Sequence, residues 1–249
     1  GGGGLLTTED LSSYEVVERE PIVVPYRNRK FMTNPPPSFG GTLIASALAE
    51  LSKYPLRNCQ PGSPDYITAH ARTMLEVEKK RSLLHNHTIS NTSQKTFSRG
   101  TTHISVVDAE GNVASMTNSN GEGSGYIVPG TGIMLNNMMG EDDLHPEGFH
   151  ASPPGQRVAS MMSPSLLLDG DRVTLVIGSG GSKRIRTAIA QVLTLIVDCK
   201  MEIQEAVSFP RLHWDGECFQ VEPGFPSESL AALEKIGKIN LWSEKNVYF

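Results

Sequence analysis

The chain has 249 residues, 38% of them apolar and 20% charged, with a net charge of −5. That length suits one large domain or two small ones, and the acidic balance gives no electrostatic reason to expect nucleic acid or an anionic membrane as a partner. The three cysteines, Cys59, Cys199 and Cys218, are too few for a disulfide framework and too widely spaced for a zinc site; at most one pair could bridge.

The opening "GGGGLLTTEDL" has no initiator methionine and reads as the interior of a longer chain, so the compartment stays open between periplasm, exterior and cytoplasm. Thr8 with Glu9 and Asp10 predicts a capped helix start. Residues 21–33 alternate and predict strands. Residues 34–54 combine three prolines, two glycines and an apolar run, which predicts a rigid turn and a helix from about Thr42 to Leu51. A second, amphipathic helix is predicted over 64–85. Residues 86–100 are polar, rich in Ser, Thr and Asn, and without period, as a linker is; they hold glycosylation sequons at Asn86 and Asn91.

Beyond the linker the pattern turns to β. "HISVVD" and "VASMTN" flank a turn at Gly111–Asn112 and predict a hairpin. A glycine-rich loop (118–132), a short strand "IMLNNMM" and a long polar loop follow. Residues 158–198 read as strand, Asp169-Gly170 hairpin, strand, glycine loop and helix. The run 188–198 is the longest apolar one and is far too short to span a bilayer. A short helix stopped by Pro210 follows. Helices, then hairpins, then helices predict a layered α+β sandwich.

Several stretches could carry chemistry. "VIGSGGSKRIRTAI" is a strand, a glycine loop and a helix start. Its spacing fits neither a P-loop nor a dinucleotide fingerprint, which leaves an anion site, an oxyanion hole or a plain tight turn. "GEDDLHPEGFH" reads as a solvated acidic loop, a metal site, or carboxylates that hold a cationic group such as an α-amine. The serines of "SMMSPS" could donate to a ligand carboxylate or simply end a strand. No G-x-S-x-G motif is present, and no cysteine has a reactive setting. Thr101 and Thr102 directly follow Gly100. They are good strand formers. Alternatively the chain is cut before Thr101, freeing an α-amine whose pKa of about 7.7–8.0 makes it a usable base for the Thr101 hydroxyl.

"LTTEDLSSYEVVEREPI", "PPPSFGGTLIASALAEL", "TTHISVVDAEGN", "GTGIMLNNMM", "SMMSP", "GSGGSKRIRTAI" and "EAVSFPRLH" occur in the order found in γ-glutamyltransferases (γ-glutamyl transpeptidases), which the chain resembles over nearly its whole length. These are N-terminal-nucleophile hydrolases. The resemblance implies an αββα four-layer sandwich and self-cleavage at Gly100–Thr101. Residues 1–100 would be the C-terminal part of a large-subunit region ending in a mobile tail, 86–100. Residues 101–249 would be the small-subunit region, and the two cleaved pieces would stay associated as one domain. Thr101 would be the nucleophile, Ser119 would stand where the family usually has a second threonine, and Gly181 and Ser182 would supply the oxyanion N–H groups beside Gly180. Ser160 and, in place of a second serine, Met161 fall where the substrate carboxylate is held. Glu141, with Asp142 as rival, falls where its α-amine is held. Asn120 stands in for an asparagine whose matching column holds Gly121, and Met138 replaces a polar residue. The implied partners are γ-glutamyl compounds such as glutathione and a water or amino-acid acceptor. No metal or organic cofactor is implied. The family's carboxylate-binding arginine would lie before residue 1, so residues 1–249 alone are expected to be a poor catalyst.

Overall fold

The computed structural model describes residues 6–85, 100–140, 144 and 152–246, without the side chains of 83–85. The linker expected over 86–100 therefore lies outside the described residues except for Gly100. A short helix, α1 (Thr8–Ser12), is capped one residue earlier than expected. Thr7, not Thr8, closes the reciprocal box: its hydroxyl accepts from the Asp10 N–H at 3.2 Å and its own N–H donates to the Asp10 carboxylate at 2.7 Å.

Strands β1 (Ile22–Tyr26) and β2 (Arg29–Thr33) form a hairpin. Pro25 has no ladder N–H, and it sits on β1 because β1 is a sheet edge. Helix α2 (Phe39–Leu51) starts three residues before the expected position and includes both glycines. The reason is close backbone approach. A Cβ on Gly40 would lie 2.1 Å from the Met161 carbonyl oxygen, and one on Gly41 would lie 2.3 Å from that of Asn34. Helix α3 (Pro64–His85) has the expected bounds and opens on proline at its first position.

The predicted hairpin is β3 (Thr101–Val107) with β4 (Val113–Ser119). The short strand expected at 133–139 is absent. Met134 bridges Ile127, and backbone hydrogen bonds join 124–128 to 133–135 without extending to a full strand, before a 3-10 turn at Met138–Gly140. The strand expected from Val158 begins only at Ser165, because Pro164 cannot donate. The pair β5 (Ser165–Asp169) and β6 (Arg172–Ile177) turns over Gly170, which has φ +61°. Helix α4 (Arg184–Val197) and the short α5 (Ile203–Ser208) precede a small sheet. That sheet is built from β7 (Leu212–Trp214), β8 (Phe219–Val221) and β9 (Ile239–Leu241), with α6 (Ser227–Glu234) between the last two.

An antiparallel sheet of order β1-β2-β5-β6 carries the main core. Phe31, Leu167 and Leu175 from the sheet pack with Ile44, Leu48 and Leu51 of α2, Tyr66 of α3, and Ile185, Ile189 and Leu193 of α4. Each such burial contributes about 1.5–3 kcal/mol. A second cluster joins α3 to the small sheet and α6 through Ile67, Phe219, Val221 and Leu233. Arg27, held at φ +58°, ties the β1–β2 turn to the ends of α2 and α4. Its Nε lies 2.7 Å from the buried Asp198 carboxylate just past α4, and its other N–H groups donate to the carbonyls of Leu51, Ser52 and Tyr54 at the end of α2. Tyr26 donates its hydroxyl to the same carboxylate, and burial, reinforced by Asp198, pushes that phenol's pKa up. All three cysteines carry free thiols. No described helix is long and apolar enough to cross a membrane.

His70 of α3 is wholly buried against Tyr66, with its Nε2 3.1 Å from the Thr194 hydroxyl. Burial pushes its pKa down from 6.5 to about 3. The unfolded chain thus takes up a proton below pH 6.5 that the folded chain refuses until about pH 3. Stability is complete above pH 6.5 and falls as pH drops through that window, by up to about 1.4 kcal/mol per pH unit for this group. In urea titrations at pH 6.5, 5.5 and 4.5, His70→Gln is expected to lose stability with acid more gently than the parent; parallel losses would contradict this.

Candidate active site

The hairpin register brings the first hydroxyls together. Thr101 opens β3 directly opposite Ser119, the last residue of β4, and their Oγ1 and Oγ atoms are 3.0 Å apart. Both side chains are half-buried. The chain then turns at Gly121, with φ +60°, and the Gly121 N–H donates to Ser119 Oγ at 3.0 Å. That bond uses one lone pair of the Ser119 oxygen and leaves its second lone pair and its O–H for Thr101, with which either hydroxyl can donate. Asn120 lies at the rim, its side chain exposed and its carbonyl accepting from the N–H groups of Gly123 and Asn137, each at 2.9 Å.

The glycine loop after β6 closes on the same place. A Cβ on Gly180 would sit 3.0 Å from the Thr101 carbonyl oxygen and 3.3 Å from its Cβ, so glycine at 180 lets this loop lie against the threonine without crowding it. Gly181 (φ +102°) and Ser182 (φ +53°) then pass through left-handed backbone before α4 begins, and their carbonyls accept from the N–H groups of Arg184 and Ile185. The N-terminus of a helix presents backbone N–H groups suited to negative charge. Lys183, Arg184 and Arg186 follow at once. Their positive field acts on the buried His213, whose pKa burial first, and these cations second, push well below 6.5.

Thr101, Ser119, Asn120 and Gly180 thus form one cluster, with Gly181 and Ser182 next along the same loop. Ser160 belongs to another. Its hydrogen bonds run to Pro37, Ser38, Phe39 and Met162, so the proline turn fixes it. Met161 departs from its expected place against a substrate. Its side chain is in the main core and 5% exposed, because the close approach of Gly40 to the Met161 carbonyl turns the thioether inward. Glu141 and Asp142 lie outside the described residues. Among the described residues no group of three His, Cys, Asp or Glu side chains is placed to hold a metal ion.

The sequence offers His103 only as a strand histidine without an assigned role. Its Nδ1 is 2.8 Å from the Thr117 hydroxyl and its Nε2 is 3.0 Å from the Ser105 hydroxyl, and burial holds its pKa below the ordinary value. Gly178 makes room for the ring: a Cβ there would lie 2.1 Å from His103 Nδ1. The signal was the alternation of β3, which puts residues 101, 103 and 105 on one face. Arg184 was missed; its guanidinium lies beside Gly181, where an added Cβ would approach Nε to 2.9 Å.

The family model for Gamma-glutamyltranspeptidase matches residues 1–96 and 78–247. A glutathione hydrolase proenzyme of Escherichia coli is 30% identical over 95% of this chain and 49% of its own length. An acylase ACY 1 proenzyme of a Pseudomonas species is 30% identical over 93% and 47%. The chain spans about half the length of the curated relatives it matches. Among solved structures, cephalosporin acylase from Bacillus halodurans superposes with a TM-score of 0.79 at 25% identity, covering 99% of this chain and 50% of that one. A variant of Helicobacter pylori gamma-glutamyltranspeptidase gives 0.51 at 35% identity, over 57% and 84%. The α+β fold expected from the sequence is the fold of these structures.

The Thr101–Ser119 contact has a measurable consequence. Ser119→Ala removes one hydrogen bond, worth about 0.5–1.5 kcal/mol net. With the chain cut before Thr101, as the resemblance implies, the new N-terminus, followed by mass spectrometry, is expected to appear at least about tenfold more slowly. Ser119→Thr keeps the hydroxyl and is expected to cut at close to the parent rate.

Proposed function

The chain belongs to the gamma-glutamyltranspeptidase family, and from that premise we propose that it carries the threonine centre of a self-cleaving γ-glutamyltransferase or glutathione hydrolase. The single observation behind this reading is the Thr101 hydroxyl at the head of a strand, 3.0 Å from Ser119 Oγ and in van der Waals reach of the Gly180 loop. Cleavage at Gly100–Thr101 converts an amide nitrogen into an α-amine. That amine takes the proton from its own hydroxyl, and Oγ1 attacks the γ-carbonyl carbon of a γ-glutamyl amide. The N–H groups of Gly181 and Ser182 hold the oxyanion, in a loop whose neighbours are three cations. The leaving amine departs protonated, and water or an amino acid then takes the acyl group from Thr101. Ser119 orients the nucleophile. Ser160 and Asn120 serve the substrate's carboxylate end, and Glu141, with Asp142 next, its α-amine. Residues 1–100 and 101–249 act as the two regions of one domain and stay associated after the cut.

A second reading keeps the chemistry and changes the acyl group. It is favoured by the acylase names among the relatives and by Met161, which stands in the core where the resemblance implies a second carboxylate-binding hydroxyl. A panel of γ-glutamyl, glutaryl and simple aliphatic anilides separates the two readings. Preference for the γ-glutamyl compound supports the first. A chain that neither cuts itself nor turns over any of them is a binding or structural protein.

In the full-length protein, Thr101→Ala is expected to abolish both self-cleavage and turnover. Thr102→Ala is expected to leave some of each, because Thr102 is exposed on the other face of the hairpin. A new N-terminus anywhere but Thr101 would sink the assignment. Glu141→Gln is expected to raise KM for γ-glutamyl donors about 10- to 100-fold, the loss of one charge-assisted contact. Asp143→Asn is expected to change it less; equal kinetics would move the amine site to Asp142.

A further inference from the structure

The hairpin ladder runs one rung beyond β3 and β4. With Thr101 opposite Ser119, Gly100 falls opposite Asn120, and the Asn120 N–H donates to the Gly100 carbonyl oxygen at 3.0 Å. That carbonyl belongs to the bond that the proposed function requires to be cut. The next residue closes in from the other side: a Cβ on residue 100 would lie 1.7 Å from the Gly121 carbonyl oxygen, so only glycine fits there. Gly121 itself donates to Ser119 Oγ, and Ser119 Oγ meets Thr101 Oγ1.

We infer that the turn 119–121 is the machinery of the cut itself, with the Asn120 N–H as its oxyanion donor, separate from the Gly181 and Ser182 donors assigned to turnover. This rests on self-cleavage before Thr101 and not on the identity of the acyl donor.

The step balances as follows. Thr101 Oγ1 bonds to the Gly100 carbonyl carbon while the carbonyl π pair moves onto oxygen, where the Asn120 N–H already points. The hydroxyl proton passes by way of Ser119 Oγ to the Thr101 nitrogen. The carbon–nitrogen bond then breaks, leaving an ester between Gly100 and Thr101 Oγ1 and a free α-amine. Water adds to the ester carbon and releases the Gly100 carboxylate and the Thr101 hydroxyl. No oxidant, metal or other co-reactant is needed. A donor placed by a strand rung is in position before the charge develops, which is the condition for it to lower the barrier. Gly121 is a positioning residue: its carbonyl excludes any side chain at 100 that would lever the scissile carbonyl off the Asn120 N–H.

The test replaces residue 120 in the full-length protein by the α-hydroxy acid analogue of asparagine, which keeps the side chain and exchanges the N–H for oxygen. Scission before Thr101 is timed by intact-mass spectrometry, and folding is checked by the thermal unfolding midpoint. The expected result is a folded chain that cuts about 10²-fold more slowly or worse, the loss usual for one oxyanion donor. Cutting at the parent rate overturns the inference, as does a parent that never cuts. Should the ester variant fail to fold, Gly100→Ala decides: slow scission in a folded chain supports the inference, and parent-rate scission overturns it. Scission is read by mass without any acyl donor. A protein that cuts itself yet hydrolyses no γ-glutamyl amide therefore sinks the substrate reading and not this one.

Discussion

The site depends on the register of one hairpin. In β3 and β4 a slip of a single residue would exchange faces, put Thr102 in place of Thr101 and separate the Thr101–Ser119 pair. The register is set at the far end, where the turn is over-determined. Asp108 accepts from the Asn112 backbone N–H and side-chain amide, each at 2.8 Å, its own N–H donates to the Asn112 carbonyl at 3.0 Å, and Gly111 supplies φ +86°. Those bonds to Asn112 hold the exposed Asp108 carboxyl below its ordinary pKa, so the latch is ionised across the neutral range. From there the rungs on one face run Val107–Val113, Ser105–Ser115, His103–Thr117 and Thr101–Ser119, the last three of them polar.

Glycine then decides how closely other backbone can come to that face. Gly178 admits the His103 ring, Gly180 admits the Thr101 backbone, and Gly100 admits the Gly121 carbonyl. A Cβ would clash outright at Gly178 and Gly100 and would crowd the Thr101 backbone at Gly180. The same device recurs where Gly40 and Gly41 let α2 press on the segments that lead into β5 and follow β2. The proline-glycine block and the glycine loop are therefore one kind of feature. Both bring main chain against main chain and so fix polar groups without long side chains.

Elements with a strong apolar period were legible. The bounds of α3 match, α4 matches the buried run, and the hairpin at 101–119 was plain from alternation alone. What failed was decided by neighbours distant in sequence. The start of α2 was hidden because paired glycines read as a break, when tertiary contact makes them the first turn. "IMLNNMM" has strand composition, but only its first residues find a partner, in 124–128. Of the site, Thr101, Ser119 and Gly180 were legible and prove to be adjacent, whereas Met161 was assigned by column and lies in the core. Arg184 went unread and His103 was set aside, because a histidine in a strand and an arginine at a helix start are ordinary until the loop beside them is placed.

In the proposed function one threonine serves two reactions whose needs differ. During turnover its nitrogen is an amine and can act as base; before the cut the same nitrogen is an amide, which has no basicity at neutral pH. The first reaction therefore needs a proton path that does not start from that nitrogen, and the group in contact with Oγ1 in the structure is the Ser119 hydroxyl. A hydroxyl suits both stages. It can relay a proton while the bond is intact and can orient Oγ1 once the amine is free, because it both donates and accepts. A carboxylate at 119 would accept but not relay, and an aliphatic residue would do neither. Serine in the place where the family usually has threonine keeps the required atom and gives up only a methyl group, so the departure at 119 is conservative in chemistry, while the departure at Met161 changes the chemistry at that position.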